Sequence, residues 1–146
     1  MAPEGNNIVC RHGRVWLAGQ PLEADIRAWA DAGVKLVVNS RTPEEIAQLP
    51  FDHAAEVTGC GMKYVEMPIG GPYGANPIHT AELAHLLETE PGNVVLHCRT
   101  GTRSAHLYAA HLLATGQAGS NPFETMGWPG PADPSMVRAL IPANSA

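Results

Sequence analysis

The sequence lacks the features that mark several classes of protein. It contains no apolar run of about 18 residues, so no segment is expected to span a membrane. Residues 1–5 have neither the basic region nor the apolar core of a signal peptide. The formal net charge of −5 argues against general nucleic-acid binding, which needs a basic surface. What remains is a globular protein, and 45% hydrophobic residues with 16% charged residues fit that class.

Cysteine is scarce, and the histidines form no metal-binding motif. Cys10, Cys60 and Cys98 are an odd number without the spacing of metal ligands, and with the missing signal peptide they favour the reducing cytoplasm. The seven histidines include no His-Glu-x-x-His motif, and His106 and His111 are five residues apart, so they do not share a helix face well. We therefore expect neither a metal nor a cofactor, and we expect Cys10 and Cys60 to be structural.

The most informative stretch of the chain spans residues 93–104. Val94–Leu96 has the length and β-branched content of a buried strand, and residues 104–115 have the periodicity of a helix. Cys98 therefore lies between a strand and a helix, where free N–H groups and the helix dipole stabilise an anion. Arg103 adds a permanently charged fork of donors, and Gly101 permits the positive φ of a tight loop. This pattern predicts a nucleophilic Cys98 thiolate in an anion-binding cradle, with Arg103 as the second catalytic residue.

The residues around Cys98 are mostly small, polar or basic, and the predicted anion-binding set is His97, Arg99, Thr100, Gly101, Thr102 and Ser104. A buried structural cysteine is the usual alternative for a lone Cys, but a segment with two arginines makes a poor core. Arg99 has two open roles, since it either attracts an anionic substrate or faces solvent. His97 is expected to orient the loop by hydrogen bonds rather than to act as a base.

Strand-like and helix-like segments alternate along the chain. The predicted strands are 8–10, 15–17, 34–38, 63–69 and 94–96, and the predicted helices are 22–30, a short one after Thr42, 51–58, 80–90 and 104–115. This alternation predicts an α/β fold of three layers, in which helices flank a mainly parallel sheet. We expect one domain over residues 1–146. Its core covers about residues 8–116, and an irregular C-terminal segment, 117–146, holds one short helix at 135–141 and packs on the domain.

Arg41 is a candidate substrate-binding residue outside the Cys98 loop. It follows the third predicted strand, at the edge of the sheet where α/β folds bind ligands. It either faces the Cys98 loop or pairs with an acidic residue of the next turn, Glu44 or Glu45. The sequence leaves both roles open.

The loop over residues 70–77 contributes two further candidates, Tyr73 and Asn76. They either line a pocket near Cys98 or belong to a plain connection. The loop lacks the G-x-G-x-x-G spacing of dinucleotide-binding proteins. Because Pro77 is expected to interrupt a helix, the next helix is predicted to begin with Thr80 as its cap.

The segment His97–Ser104 resembles the anion-binding loop shared by cysteine-dependent protein phosphatases and rhodanese sulfurtransferases. Four residues separate Cys98 from Arg103, as in rhodaneses, whereas tyrosine and dual-specificity phosphatases have one more. The histidine before the cysteine is similar to the phosphatases. Over residues 17–113 the chain more closely resembles the phosphatase-like domain of the bacterial beta-lactamase-hydrolase-like family, through segments 18–21, 37–41 and 64–69 as well as the loop.

That resemblance implies a cysteine-phosphatase-like fold and an anionic or persulfide small-molecule substrate. Members of the family are also described as sulfur transferases. They occur fused to persulfide dioxygenases or to sulfide-oxidising enzymes, which implies a partner of that kind.

Two reactions fit a thiolate in such a cradle, and they differ in their need for an acid. Phosphoester hydrolysis needs a general acid, which the resembling phosphatases supply ahead of the cysteine, but residues 67–81 contain neither Asp nor Glu. Sulfur transfer from thiosulfate or a persulfide to a thiol acceptor needs no strong protonation. The sequence therefore favours a sulfurtransferase that forms a Cys98 persulfide. A phosphatase that forms a Cys98 phosphocysteine is the alternative, and a non-catalytic redox or persulfide-sensing module is the third.

Overall fold

The computed structural model describes residues 7–70, 76–118 and 121–141. Its strands are β1 (Ile8–His12), β2 (Val15–Ala18), β3 (Val34–Asn39), β4 (Lys63–Glu66) and β5 (Asn93–His97). Its helices are α1 (Glu23–Asp31), α2 (Pro43–Ala47), α3 (His53–Gly59), α4 (Pro77–Thr89), α5 (Thr102–Ala114), α6 (Pro122–Met126) and α7 (Pro134–Leu140). The predicted alternation of strands and helices is confirmed.

The five strands form one sheet in the order β1-β2-β5-β3-β4. β5 pairs in parallel with β2 and β3, β3 pairs in parallel with β4, and β1 is antiparallel to β2. In this register His97 lies between Ala18 and Asn39 on its neighbours. Because the carboxyl ends of three parallel strands meet there, the segments that follow them converge on the Cys98 loop.

Both faces of the sheet are covered, which confirms the three-layer α/β prediction. On one face Leu36, Val38 and Leu96 lie in a core cluster with residues of α4, α5, α6 and α7. On the other face Val37 and Val95 pack with residues of α1 and α3. Successive residues of β3 and β5 therefore enter opposite layers, as the two-residue period of a strand requires. Their nearly unbroken apolar sequence is typical of strands buried on both faces.

The start of α4 corrects one prediction. The helix begins at Pro77, and Asn76 caps it by accepting the N–H of Ile78 at 3.0 Å. Proline suits the first helical position because its missing N–H would have had no partner there. Thr80 is therefore not the cap but lies in the first turn, where its hydroxyl donates to the carbonyl of Leu140 at 2.5 Å.

The C-terminal segment is more regular than predicted. It contains the expected helix, α7, and also α6, for which the sequence analysis made no prediction. Met126, Val137 and Leu140 are buried in the same core cluster as the central strands. The predicted packing of this segment on the domain is confirmed.

No helix within the described residues combines the length and the apolar character that crossing a bilayer requires.

Candidate active site

Cys98 is the first residue of the loop that joins β5 to α5. Its side chain is 1% exposed. The backbone N–H of Gly101 donates to its Sγ at 3.2 Å. Gly101 caps α5, so the sulfur lies beside the N-terminus of a 13-residue helix, where the dipole stabilises negative charge. The loop is held from outside by the N–H of Gln20, which donates to the Arg99 carbonyl at 2.9 Å.

Two features of the structure require glycine at position 101. Its φ is +95°, in the left-handed region that disfavours a Cβ atom. A Cβ atom would also lie 3.0 Å from Cη2 of Trp128 and 3.3 Å from the carbonyl oxygen of Ala18. Trp128 therefore packs directly against the Cys98 loop. Its indole N–H donates to the carbonyl of Pro131 at 2.9 Å, which fixes the ring.

Arg103 is held by a carboxylate and a backbone carbonyl. Its Nη1 and Nη2 donate to the two carboxylate oxygens of Glu45 at 2.7 and 2.9 Å, and Nη1 also donates to the Ile69 carbonyl at 2.8 Å. Guanidinium has five N–H groups, so these bonds leave one on Nε and one on Nη2, side by side. The pKa of Arg103 is raised, first by the Glu45 hydrogen bond and also by the neighbouring Cys98. The remaining pair of donors is therefore available to an anion at Cys98.

Glu45 is part of α2 and was missed as a site residue. Thr42 caps this helix, and its N–H donates to Glu45 Oε1 at 2.8 Å. This capping box orients the Glu45 carboxylate independently of Arg103. The Arg103 hydrogen bond is the largest cause that lowers the Glu45 pKa to about 2. Glu45 is consequently ionised at neutral pH and holds no proton to donate. The sequence shows the capping box, but the partner 58 residues later is visible only in the fold.

Arg41 pairs with an acidic residue, as one of its two interpretations proposed. Its Nε lies 3.5 Å from Glu45 Oε2, and its Nη1 donates to Oε1 of Gln20 at 2.9 Å. The two arginines, Arg41 and Arg103, thus share one carboxylate. The Arg41 charge also helps to lower the pKa of the His97 imidazole, so Arg41 lies near the Cys98 loop as well. Its role in substrate binding stays a prediction.

The roles of the other two candidate substrate-binding residues, Tyr73 and Asn76, also stay predictions. Asn76 uses its side-chain oxygen to cap α4 and is exposed. Tyr73 lies outside the described residues.

His97 is fully buried, and its imidazole contacts the backbone of Cys98. Its Nδ1 lies 3.3 Å from the Cys98 carbonyl oxygen, and its Nε2 lies 2.9 Å from Nε2 of His53. Burial lowers the pKa of both imidazoles, so both are neutral at pH 7. His53 is not recognisable from the sequence as a site residue, since an isolated histidine at the start of a helix carries no signal of its partner.

The remaining loop residues differ in exposure. Arg99 and Thr100 are exposed, and the hydroxyl of Thr100 lies 3.0 Å from that of Thr102. Ser104 is buried, and its Oγ has no hydrogen-bond partner among the described residues. Across all the residues that the structure describes, no group of three or more His, Cys, Asp or Glu side chains is arranged to hold a metal ion.

Comparison with known proteins places the chain in a family. The model of the phosphatase-like domain of beta-lactamase hydrolase-like proteins matches residues 14–119. The chain belongs to this family. The phosphatase-like domain is 29% identical over 116 residues to a beta-lactamase hydrolase-like protein of Agrobacterium fabrum strain C58, which is 78% of this chain and 27% of the relative. It therefore spans about a quarter of the length of that relative.

Solved structures agree with the cysteine-phosphatase-like fold. Tk-PTP in its active form has 20% sequence identity and a TM-score of 0.73, and the alignment covers 92% of both chains. PTPMT1 in complex with PI(5)P has 20% identity and a TM-score of 0.71, over 89% of this chain and 90% of the other. The resemblance and the fold class inferred from the sequence are both confirmed.

Proposed function

We propose that the phosphatase-like domain is a cysteine-dependent phosphatase that uses Cys98 as its nucleophile. The observation that carries the proposal is the set of hydrogen bonds from Arg103 to Glu45 and to the Ile69 carbonyl. These bonds leave two parallel N–H donors of Arg103 for an anion beside the sulfur. Two donors in this geometry match two oxygens of a phosphate. Family membership and the likeness to phosphatase structures support the same reaction. They favour the alternative of the sequence analysis over its first choice, sulfur transfer.

The reaction has two displacements at phosphorus. The Cys98 thiolate attacks phosphorus, a P–S bond forms, and the P–O bond to the leaving group breaks with its electron pair on that oxygen. Water then attacks phosphorus, the P–S bond breaks, and phosphate and the thiolate are released. In both steps the Gly101 N–H, the N-terminus of α5 and Arg103 stabilise the negative charge.

Neither Glu45 nor the segment ahead of Cys98 supplies an acid for the leaving oxygen. Glu45 is ionised, and residues 67–81 contain no carboxylic acid. The proton must then come from water or from the phosphate monoanion itself. Aryl phosphates, whose leaving groups depart more readily as anions, are therefore the substrates of choice for a first assay.

Sulfur transfer is the second candidate function, and the length of the loop favours it. The four residues between Cys98 and Arg103 form the shorter, rhodanese-length loop. In this reaction the Cys98 thiolate attacks the outer sulfur of thiosulfate, the S–S bond breaks, and sulfite leaves with the electron pair. An acceptor thiolate then removes the sulfur from the Cys98 persulfide. A persulfide dioxygenase or another sulfide-oxidising enzyme would be a fitting partner only for this second function.

Parallel turnover assays on the full chain separate the two functions. The proposal predicts orthovanadate-sensitive hydrolysis of p-nitrophenyl phosphate that is lost in Cys98→Ser. Thiosulfate and cyanide turnover without hydrolysis of any aryl phosphate would replace it with sulfur transfer. If neither reaction occurs but Cys98 is converted to a stable oxidised form, the domain is a redox module and the proposal is wrong.

A further inference from the structure

His53 is a buried titratable residue that the proposed reaction does not use. It occupies the first position of α3 after the cap Asp52, and its side chain is 1% exposed. Its ring packs edge-on against His97 and Tyr64, with centroid distances of 4.9 and 5.3 Å. His97 immediately precedes Cys98, so this contact lies next to the start of the Cys98 loop.

Only one assignment of the N–H protons on the two imidazoles satisfies both of the contacts that His97 makes. A carbonyl oxygen only accepts, so Nδ1 of His97 must donate to the Cys98 carbonyl. A neutral imidazole carries a single N–H, so Nε2 of His97 is an acceptor. The 2.9 Å contact then requires that Nε2 of His53 donates. Nδ1 of His53 is left as an acceptor, and it has no partner among the described residues.

Burial keeps this arrangement neutral. It is the largest cause that lowers the pKa of each imidazole, and the nearby Arg41 charge lowers both further. Asp52 acts in the opposite direction on His53. At neutral pH the pair therefore holds two protons, one on each ring, and the tautomer of His97 depends on the donor at His53.

We propose that His53 is a positioning residue that acts on Cys98 through His97. Its N–H fixes the tautomer of His97, and that tautomer holds the Cys98 carbonyl by a hydrogen bond. The carbonyl belongs to the Cys98–Arg99 peptide, so its hydrogen bond sets the plane of that peptide and the path of the loop whose Gly101 N–H donates to the sulfur. The importance of this for turnover rests on the proposed function, but the effect on the reactivity of Cys98 does not.

Nitrogen-15 NMR of the unaltered protein is the first test, because it needs no variant that might fail to fold. The proposal requires the Nδ1–H tautomer at His97 and the Nε2–H tautomer at His53. The opposite tautomer at either ring overturns it.

Two substitutions test the donor itself. His53→Leu removes the N–H at similar volume, whereas His53→Gln keeps a side-chain N–H donor. The loss of one buried hydrogen bond should slow iodoacetamide alkylation of Cys98 at pH 7 about tenfold in His53→Leu. It should also convert His97 partly to the Nε2–H tautomer. His53→Gln should retain most of the rate and the Nδ1–H tautomer, which a role in packing alone would not explain.

His111→Leu is the matched control, since His111 is also buried but lies on α5 with its ring stacked on Tyr108. It should leave the alkylation rate unchanged. An equal loss in His111→Leu, or equal rates in His53→Leu and the unaltered protein, overturns the proposal. Alkylation and NMR need no substrate, so a lack of phosphatase activity would count against the proposed function alone.

Discussion

Replacing Glu45 with glutamine tests whether the carboxylate holds Arg103 in position. The substitution keeps the size of the side chain and, because glutamine also completes a capping box, the start of α2. It removes the charge and one of the two acceptors that Arg103 uses at 2.7 and 2.9 Å. Only the Ile69 carbonyl then holds the guanidinium as before.

The size of the effect follows from the ion pair. The pKa of Glu45 is lowered from its usual 4.5 to about 2, first by the Arg103 hydrogen bond and also by hydrogen bonds with Thr42. This shift corresponds to at most about 3–4 kcal/mol. The side chain is 27% exposed, so solvent screening reduces this, and we expect a loss of about 1–2 kcal/mol in unfolding free energy at pH 7. Because the folded-state pKa is the lower one, the contribution is present above pH 4.5 and is lost as the pH falls towards 2.

The assay compares Glu45→Gln with Glu44→Gln, an exposed residue of the same turn that undergoes the same change of charge. A misplaced Arg103 should lower kcat/KM for p-nitrophenyl phosphate about 10- to 100-fold, and the control should not. Urea unfolding should show the stability difference at pH 7 and a smaller one at pH 3. Unaltered kcat/KM in Glu45→Gln would refute the idea that Glu45 positions the anion-binding donors.

Three further predictions concern the same loop. Arg103→Lys should lower kcat/KM at least about 100-fold, since an ammonium group cannot replace the fork, and a near-normal rate would mean that backbone N–H groups form the cradle. Gly101→Ala should lose about 1–2 kcal/mol or more in urea unfolding because of the left-handed φ and the contact with Trp128; an unchanged midpoint contradicts this. Trp128→Ala should lose about 3–5 kcal/mol and should lower kcat/KM more than Leu140→Ala, a buried control in the same segment.

The sequence was sufficient for the elements whose signals are local. The apolar strands β3 and β5 and the Thr42 cap of α2 are recognisable from neighbouring residues. The position of Cys98 between a strand and a helix followed in the same way. The start of α4 was misplaced because proline both ends and begins helices, and the sequence alone did not distinguish the two roles.

The residues that support the site could not be recognised from the sequence. Glu45 reaches Arg103 across 58 positions, and His53 reaches His97 across 44. Each contact depends on how α2 and α3 lie against the carboxyl end of the sheet, which no local pattern encodes. Trp128 was missed for the same reason, since its contact with Gly101 requires the path of the C-terminal segment.

Mass spectrometry of the acid-quenched protein tests the central claim most directly. The full chain and Cys98→Ser are each mixed briefly with an aryl phosphate and, separately, with thiosulfate. The account predicts a phosphoryl adduct on Cys98 of the unaltered protein and none on Cys98→Ser. No phosphoryl adduct, together with a sulfur adduct on Cys98 that cyanide removes, would contradict the phosphatase and establish sulfur transfer in its place.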